Sequence, residues 1–351
     1  MEFRIGKAIA SEDRTMVIAE AGVNHLGRMD YAEKLIASAK RAGADMIKFQ
    51  TYKAARLTTR NAPRFWNWEG EHDKEGSQYD SYSILDSFGK EEHRRLKEMC
   101  DAHGIEFLST PFDNEAVDML VEIGVNGFKI ASCDINNIPF LEYVASKGLP
   151  ILLSTGASSM EDIRRAVEVI HSRGNDQVCV MHCTLCYPTE PKDANLRAVL
   201  KLQEAFPDKL IGFSDHTLGT VVASASVLYG VRAIEKHYTF DKTLPDSADH
   251  WLSLDEADLA RLVADVRTLE AALGTGGKAV LDCERPARSF ARRSLVAARD
   301  LPKGSVLEAE DVVCKRPGTG IPPTRLDEFV GKTLARDVVA DALFETGDFG
   351  E

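Results

Sequence analysis

No stretch of this 351-residue chain approaches the roughly 20 consecutive apolar residues needed to cross a bilayer, so no membrane partner is expected. The opening residues 1–14 are polar and charged and lack the apolar core of a signal peptide. A cytoplasmic location is the expectation. Positive charge is in deficit: 43 Lys and Arg against 55 Asp and Glu give a net charge of −12. That balance argues against a nucleic-acid scaffold and requires any anionic substrate to meet a local cluster of cations. The seven cysteines are odd in number and dispersed, as expected for reduced thiols rather than a disulfide framework. Cys183 and Cys186 form a single C-x-x-C with no second pair to complete a structural zinc site, and read as a strand end entering a loop. No G-x-G-x-x-G follows the first strand-like run, which removes the usual fingerprint of a dinucleotide-binding sheet.

What the chain does contain is regular alternation. Apolar, strand-like runs fall at 16–21, 46–51, 106–110, 127–132, 151–155, 178–183, 210–214 and 233–237. Their interiors are mostly continuous rather than alternating, as parallel strands covered by helices require. Amphipathic segments lie between them, with start signals read at Asp30/Glu33, Ser158/Glu161 and Ser253/Glu256. Eight β-then-α units predict an α/β fold, a (β/α)8 TIM barrel over 1–273. A glycine-rich, charged linker is read at 274–288 and a small β-rich domain at 289–351. The latter is too short to bury much surface alone and is expected to dock on the barrel or on a second copy. One connection, 52–89, is long, polar and rich in aromatics, including Phe65, Trp66 and Trp68. A loop of that length after a barrel strand is usually functional, though these rings serve equally well to pack the loop.

Barrel chemistry lies at the C-terminal ends of the strands, and here those ends are strongly polar. Two consecutive units end in histidine, Gly212-Phe213-Ser214-Asp215-His216 and Glu235-Lys236-His237. On neighbouring strands the two imidazoles reach one mouth and suit an open, catalytic divalent-metal site. The period of two sends Ser214 and Glu235 inward with them, while Asp215 and Lys236 face the helices. Lys48 and Gln50 share one side of the second strand. Lys48 and Lys129 inside a barrel mouth call for an anion or a carboxylate, either a phosphate and carboxylate pocket or an internal network with Glu20. Lys129 and Ser132 serve together only if their strand ends or bulges near Ser132. His25 is a candidate third ligand, with contact to substrate or a structural role favoured.

Taken together, Ile18-Ala19-Glu20-Ala21-Gly22-Val23-Asn24-His25, Lys48-Phe49-Gln50, Ser109-Thr110-Pro111-Phe112-Asp113, Lys129-Ile130-Ala131-Ser132, Ser154-Thr155-Gly156, Gly212-Phe213-Ser214-Asp215-His216 and Glu235-Lys236-His237 resemble the sialic acid (nonulosonic acid) synthase family. Lys315-Arg316-Pro317-Gly318-Thr319-Gly320-Ile321 resembles its C-terminal SAF, or antifreeze-like, domain. The resemblance implies condensation of phosphoenolpyruvate with an open-chain aldose, usually an N-acylated mannosamine type. It implies a divalent metal, Mn2+ in the first place with Mg2+ or Co2+ as alternatives, on His216 and His237. Lys48, Thr110, Lys129, Ser132, Ser154 and Ser214 would bind phosphoenolpyruvate. Glu20, Lys129 and Glu235 would act at the reacting centre. Gln50, Tyr187, Asp246 and Arg316 would meet the sugar, Arg316 from the other chain of a domain-swapped homodimer. The chain departs from many relatives at Leu185 and Cys186, where Asn or Ser is common, and at Leu244, where glycine is usual. The competing readings are a related phosphoenolpyruvate-dependent aldol synthase for a non-acylated sugar, a metal-dependent barrel hydrolase, and a non-catalytic sugar- or anion-binding barrel.

Overall fold

A computed structural model describes residues 1–66, 76–244 and 249–350. Its contacts divide the chain into two units, Met1–Gly274 and Thr275–Glu351.

The first unit opens with an antiparallel hairpin, β1 (Glu2–Ile5) and β2 (Ala8–Ser11), turning at Gly6, whose φ of +54° suits a residue without Cβ. Eight parallel strands follow: β3 (Met16–Gly22), β4 (Met46–Thr51), β5 (Glu106–Pro111), β6 (Phe128–Ile130), β7 (Ile151–Ser154), β8 (Val178–Cys183), β9 (Ile211–Asp215) and β10 (Ala233–His237). They hydrogen-bond in the order β5-β4-β3-β10-β9-β8-β7-β6, and the two outer members, β5 and β6, lie side by side. The sheet is therefore a nearly closed (β/α)8 barrel. All eight strand-like runs of the sequence become barrel strands, with ends displaced by no more than two residues.

The helices of this unit are α1 (Met29–Arg41), α2 (Ala54–Leu57), α3 (Gln78–Ser83), α4 (Lys90–His103), α5 (Asn114–Glu122), α6 (Ile138–Ala145), α7 (Met160–Ser172), α8 (Ala198–Ala205), α9 (Val221–Ser226) and α10 (Glu256–Leu273). Their apolar faces cover the barrel: Leu35, Ile36, Leu96, Leu120, Leu141, Ile170, Leu202 and Leu262 join the outward residues of the strands in one core. The start signals differ from those read in the sequence. Asp30 lies inside α1, whose N-cap is Arg28 without a side-chain bond. Ser159 with Asp162, not Ser158 with Glu161, forms the capping box of α7. Asp255 rather than Ser253 caps α10, accepting from the Asp258 N–H. The caps of α7 and α10 sit one and two residues from the expected ones, because neighbouring Ser, Asp and Glu compete for the same role and only backbone direction decides among them.

A second, smaller core fills the N-terminal end of the barrel. Phe3, Ile5, Ala8 and Ala10 from the hairpin meet the inward residues Met16, Ile18, Met46, Leu108, Leu152, Cys179 and Met181. The hairpin thus plugs the end away from the polar strand termini.

The second unit begins with residues read as linker, which contain a 3-10 turn at Asp282–Glu284 and lead into α11 (Arg285–Phe290). A two-stranded antiparallel sheet of β11 (Ser294–Ala297) and β12 (Val312–Lys315) follows, with further single bridges such as Leu301 to Val338. Leu295, Ala297, Leu301, Leu307, Ile321, Phe329, Leu334, Val338 and Phe344 make its own buried cluster. The unit therefore holds more internal core than its length suggested.

Candidate active site

The polar strand ends converge on one cavity of about 360 Å3 at the C-terminal mouth of the barrel. Glu20, Lys48, Gln50, Thr110, Lys129, Ser132, Ser154, Tyr187, Ser214, His216, Glu235 and His237 all line it. Those are all the site residues expected in the barrel except Asp246, which lies outside the described residues, as does Trp68. Arg316 is on the second unit, exposed on the segment after β12. A larger groove of about 820 Å3 lies beside α7 and α8, but it lacks the lysines and the paired histidines.

The floor is a network of buried charge. Lys48 Nζ lies 2.5 Å from Glu20 Oε2, 2.8 Å from Thr110 Oγ1 and 4.0 Å from Glu235 Oε1. Lys129 Nζ lies 2.8 Å from Glu235 Oε1, which also accepts from Ser214 Oγ at 3.2 Å. Gln50 Nε2 donates to Glu20 Oε1 at 3.0 Å. Strand register explains the grouping: Glu20 pairs with Lys48 across β3–β4, and Glu235 with Ser214 across β9–β10. Burial works against the charged forms of both Lys48 and Glu235. Yet Glu20 and Glu235 raise Lys48, while Lys129 and Lys48 hold the Glu235 carboxyl below its ordinary range. The internal lysine–carboxylate network is thus present, but it is incomplete: Glu235 Oε2 and Ser154 Oγ are buried with no hydrogen-bond partner. Such orphaned groups at the bottom of an open cavity fit a polar ligand.

β6 ends at Ile130, and Ser132 opens a 3-10 turn, Ser132–Asp134. The strand therefore stops before alternation would carry Ser132 away from Lys129, and the Ser132 hydroxyl accepts the Gly156 N–H at 2.9 Å.

The two histidines face one another, with ring centroids 5.3 Å apart and 56° between planes. Imidazoles bound to a common ion through nitrogens at about 2.0–2.1 Å would have centroids roughly 5 Å apart. His216 Nδ1 is 2.9 Å from the Thr184 carbonyl oxygen, which leaves Nε2 to a ligand. Burial, with His237 alongside, pushes the His216 imidazole down to about 3, so it is neutral as a metal ligand must be. His237 differs: burial opposes its charged form, but the Asp249 and Glu20 carboxylates outweigh burial and raise it. Its Nδ1 lies 3.4 Å from Asp249 Oδ2, an ion-pair contact without hydrogen-bond alignment. The Tyr187 ring lies 4.1 Å from His216 and 5.7 Å from His237, and burial pushes its phenol well up. The donor set therefore fits a divalent cation on His216 and His237. Among the described residues no group of three or more His, Cys, Asp and Glu is placed to hold a metal ion. His25 is no third ligand: its ring stacks on Phe88 at 4.0 Å, and its Nδ1 accepts the Gly27 N–H at 3.1 Å.

Several lining residues escaped sequence reasoning. Asp249, three positions beyond Asp246, lines the cavity and was not singled out in the sequence. Cys183, whose thiol burial pushes up, and Asp134, whose carboxyl burial pushes up to about 6, also line the cavity. One side is an aromatic wall in which Tyr52, Phe65, Trp66, Tyr82 and Phe112 meet in successive edge-on and tilted contacts of 4.8–6.0 Å. The long 52–89 connection supplies four of these five rings, Tyr52, Phe65, Trp66 and Tyr82, and these line the cavity.

A buried lysine–carboxylate floor beneath two facing imidazoles, at the C-terminal mouth of a TIM barrel, defines a barrel enzyme site for an anionic substrate. The NeuB family model matches residues 35–278 and the SAF domain model residues 292–349. An N,N'-diacetyllegionaminic acid synthase from Legionella pneumophila is 39% identical over 92% of this chain and 91% of its own length. The N-acetylneuraminate-9-phosphate synthase of Homo sapiens is 34% identical over 97% and 94%. The crystal structure of an N-acetylneuraminic acid synthetase from Leptospira borgpetersenii, in complex with citrate, has a TM-score of 0.72 and 35% identity, covering 82% of this chain and 94% of that one. The chain belongs to the NeuB family of sialic and nonulosonic acid synthases and carries a SAF domain. No helix among the described residues is long and apolar enough to cross a membrane.

Proposed function

We propose that the chain condenses phosphoenolpyruvate with an open-chain N-acyl mannosamine-type aldose, giving a nonulosonic 2-keto-3-deoxy acid and phosphate. The observation that carries this reading is the convergence of Lys48, Lys129 and the His216–His237 pair on one cavity. Phosphoenolpyruvate brings about three negative charges, a carboxylate and a phosphate whose second pKa is near 6. The cavity's two ammonium groups already face Glu20 and Glu235, Asp249 stands against His237, and Asp134 is a further carboxyl. Positive charge is therefore short, and a divalent cation on the histidines restores it. When bound, that cation would polarise the aldehyde oxygen as a Lewis acid. Mn2+ is the first candidate, with Mg2+ and Co2+ behind it.

The chain's own residues supply the rest. Lys48 and Lys129 release part of their pairing to Glu20 and Glu235 and take up the phosphate and carboxylate oxygens. Thr110, Ser132, Ser154 and Ser214 add hydroxyl donors. Carbon three of phosphoenolpyruvate attacks the aldehyde carbon; the C=O pair passes to the oxygen, which takes up a proton to become a hydroxyl, balanced by the proton that water gives up in the next step. Water adds to the cationic centre left at carbon two, losing its proton to Glu20 or Glu235, both carboxylates of the floor. The C–O bond to phosphate then breaks, phosphate leaves with the bonding pair, and the hydroxyl at carbon two loses its proton to become the keto group. Gln50 and Tyr187 orient the sugar, and the aromatic wall receives its acyl and carbon faces. Asp246 and Arg316 would add further sugar contacts, Arg316 from a second copy in a domain-swapped homodimer.

Phosphate release with Mn2+, phosphoenolpyruvate and a panel of N-acyl mannosamines, diacetamido hexoses and mannose tests this. Release that depends on an N-acyl sugar supports the reading. Release with mannose alone would favour a non-acylated substrate, and none with any sugar from folded, metal-loaded protein would favour a binding protein.

A further inference from the structure

Behind the two imidazoles, on the side of β9 and β10 that faces the helices, lies an ion pair that the chemistry above does not use. Lys236 Nζ stands 3.0 Å from Asp215 Oδ2, and the two side chains are 2% and 0% exposed. The residues are partners across the β9–β10 ladder, and each immediately precedes a cavity histidine. Strand alternation sends them outward for the same reason that it sends His216 and His237 inward.

Asp215 also grips its own chain two residues on. Its Oδ1 accepts the Thr217 backbone N–H at 2.9 Å, and its Oδ2 accepts the Thr217 hydroxyl at 3.0 Å. Lys236 Nζ donates as well to the Thr217 carbonyl. His216 is thus the middle residue of a closed clasp, Asp215-His216-Thr217, and Lys236 fastens that clasp to the strand carrying His237. The His216 carbonyl is held separately by the Thr189 N–H at 2.9 Å.

A buried ion pair is a poor source of net stability, since desolvation offsets its attraction and well-packed apolar residues often do as well. What this pair supplies that apolar residues would not is direction: fixed donor and acceptor positions on both strands at the level of the imidazoles. We propose that Asp215, Thr217 and Lys236 are positioning residues that set the spacing and facing of His216 and His237, and through them the affinity of the site for a divalent cation. They act through the backbone and touch neither ion nor substrate. The inference rests on the metal reading given above.

The test uses full-length apo protein, Mn2+ titration followed by the electron paramagnetic resonance of the free ion, and thermal unfolding of the apo form. Asp215→Leu with Lys236→Met removes both charges together, so that neither is left buried alone, and takes from Thr217 the partners of its N–H, hydroxyl and carbonyl. The apo protein should still unfold cooperatively, at a lower melting temperature because the buried Thr217 groups lose these partners, while the Mn2+ Kd rises by about tenfold or more, the usual scale for residues that orient metal ligands. Thr217→Val keeps the ion pair and loses one hydrogen bond. It should show a smaller rise in the same direction, and it decides the matter if the double variant fails to fold. Unchanged Mn2+ affinity in the folded variants would overturn the positioning role while leaving the metal site standing. Wild-type protein that binds Mn2+ no better than His216→Ala/His237→Ala protein would overturn the metal reading and this inference with it.

Discussion

Two of the buried histidines are held neutral, and this links stability to pH. His25 and His216 are each depressed to about 3 by burial, with His93 adding to the effect on His25 and His237 to that on His216. Between about pH 6.5 and about 3 the unfolded chain takes up a proton at each that the folded chain refuses. Stability should therefore fall with acid across that window, by about 1.4 kcal/mol per pH unit for each imidazole. Glu235, held low in the fold, adds a further loss only below its unfolded value of about 4.3. Denaturant unfolding from pH 7 to 5 checks this, and His25→Phe should remove one imidazole's share of the slope. An unchanged slope in that variant would mean that His25 is not held neutral. At this scale the sequence was legible wherever alternation applies: Ser214, Glu235 and the histidines inward, Asp215 and Lys236 outward. Asp249 was not legible, because it sits in a turn, where no period links residue number to direction.

Among the elements, the barrel strands were readable because burial on both faces writes a continuous apolar run. The β1–β2 hairpin was not, since Phe3 and Ile5 alternate with Glu2 and Arg4 and the segment reads as polar. Yet Ile5 is fully buried in the plug beneath the barrel. Ile5→Ala should cost about 2–5 kcal/mol in denaturant unfolding, whereas a change within about 0.5 kcal/mol, as at surface sites, would show that the plug is dispensable. The caps of α7 and α10 fell one and two residues from expectation because several acidic and hydroxyl side chains offered themselves together. The aromatic wall carries a functional prediction. Tyr82→Ala should raise the sugar KM by about tenfold, the scale of one lost aromatic contact, while the phosphoenolpyruvate KM stays within about twofold. Equal rises in both would place the wall against phosphoenolpyruvate instead.

For the whole molecule, the sequence divided the chain near residue 273 and the contacts divide it at Gly274. It underrated the second unit, whose cluster around Leu295, Phe329 and Phe344 is built from residues far apart in the chain and so shows no short period. If Arg316 serves the site of another copy, two inactive proteins should complement each other. Mixing His216→Ala with Arg316→Ala protein, after subunit exchange, creates one site with both residues intact. Activity should rise well above that of either variant alone, and sedimentation should show dimers. No rise despite demonstrated exchange would put Arg316 on its own barrel or outside the site.

The account stands most directly on how phosphate leaves. The reaction run in 18O-labelled water, with Mn2+, phosphoenolpyruvate and an N-acyl mannosamine, should release phosphate only when sugar is present, and that phosphate should carry no label because the C–O bond breaks. Labelled phosphate, or release without sugar, would mean hydrolysis at phosphorus and would contradict a condensing site built on Lys48, Lys129, His216 and His237.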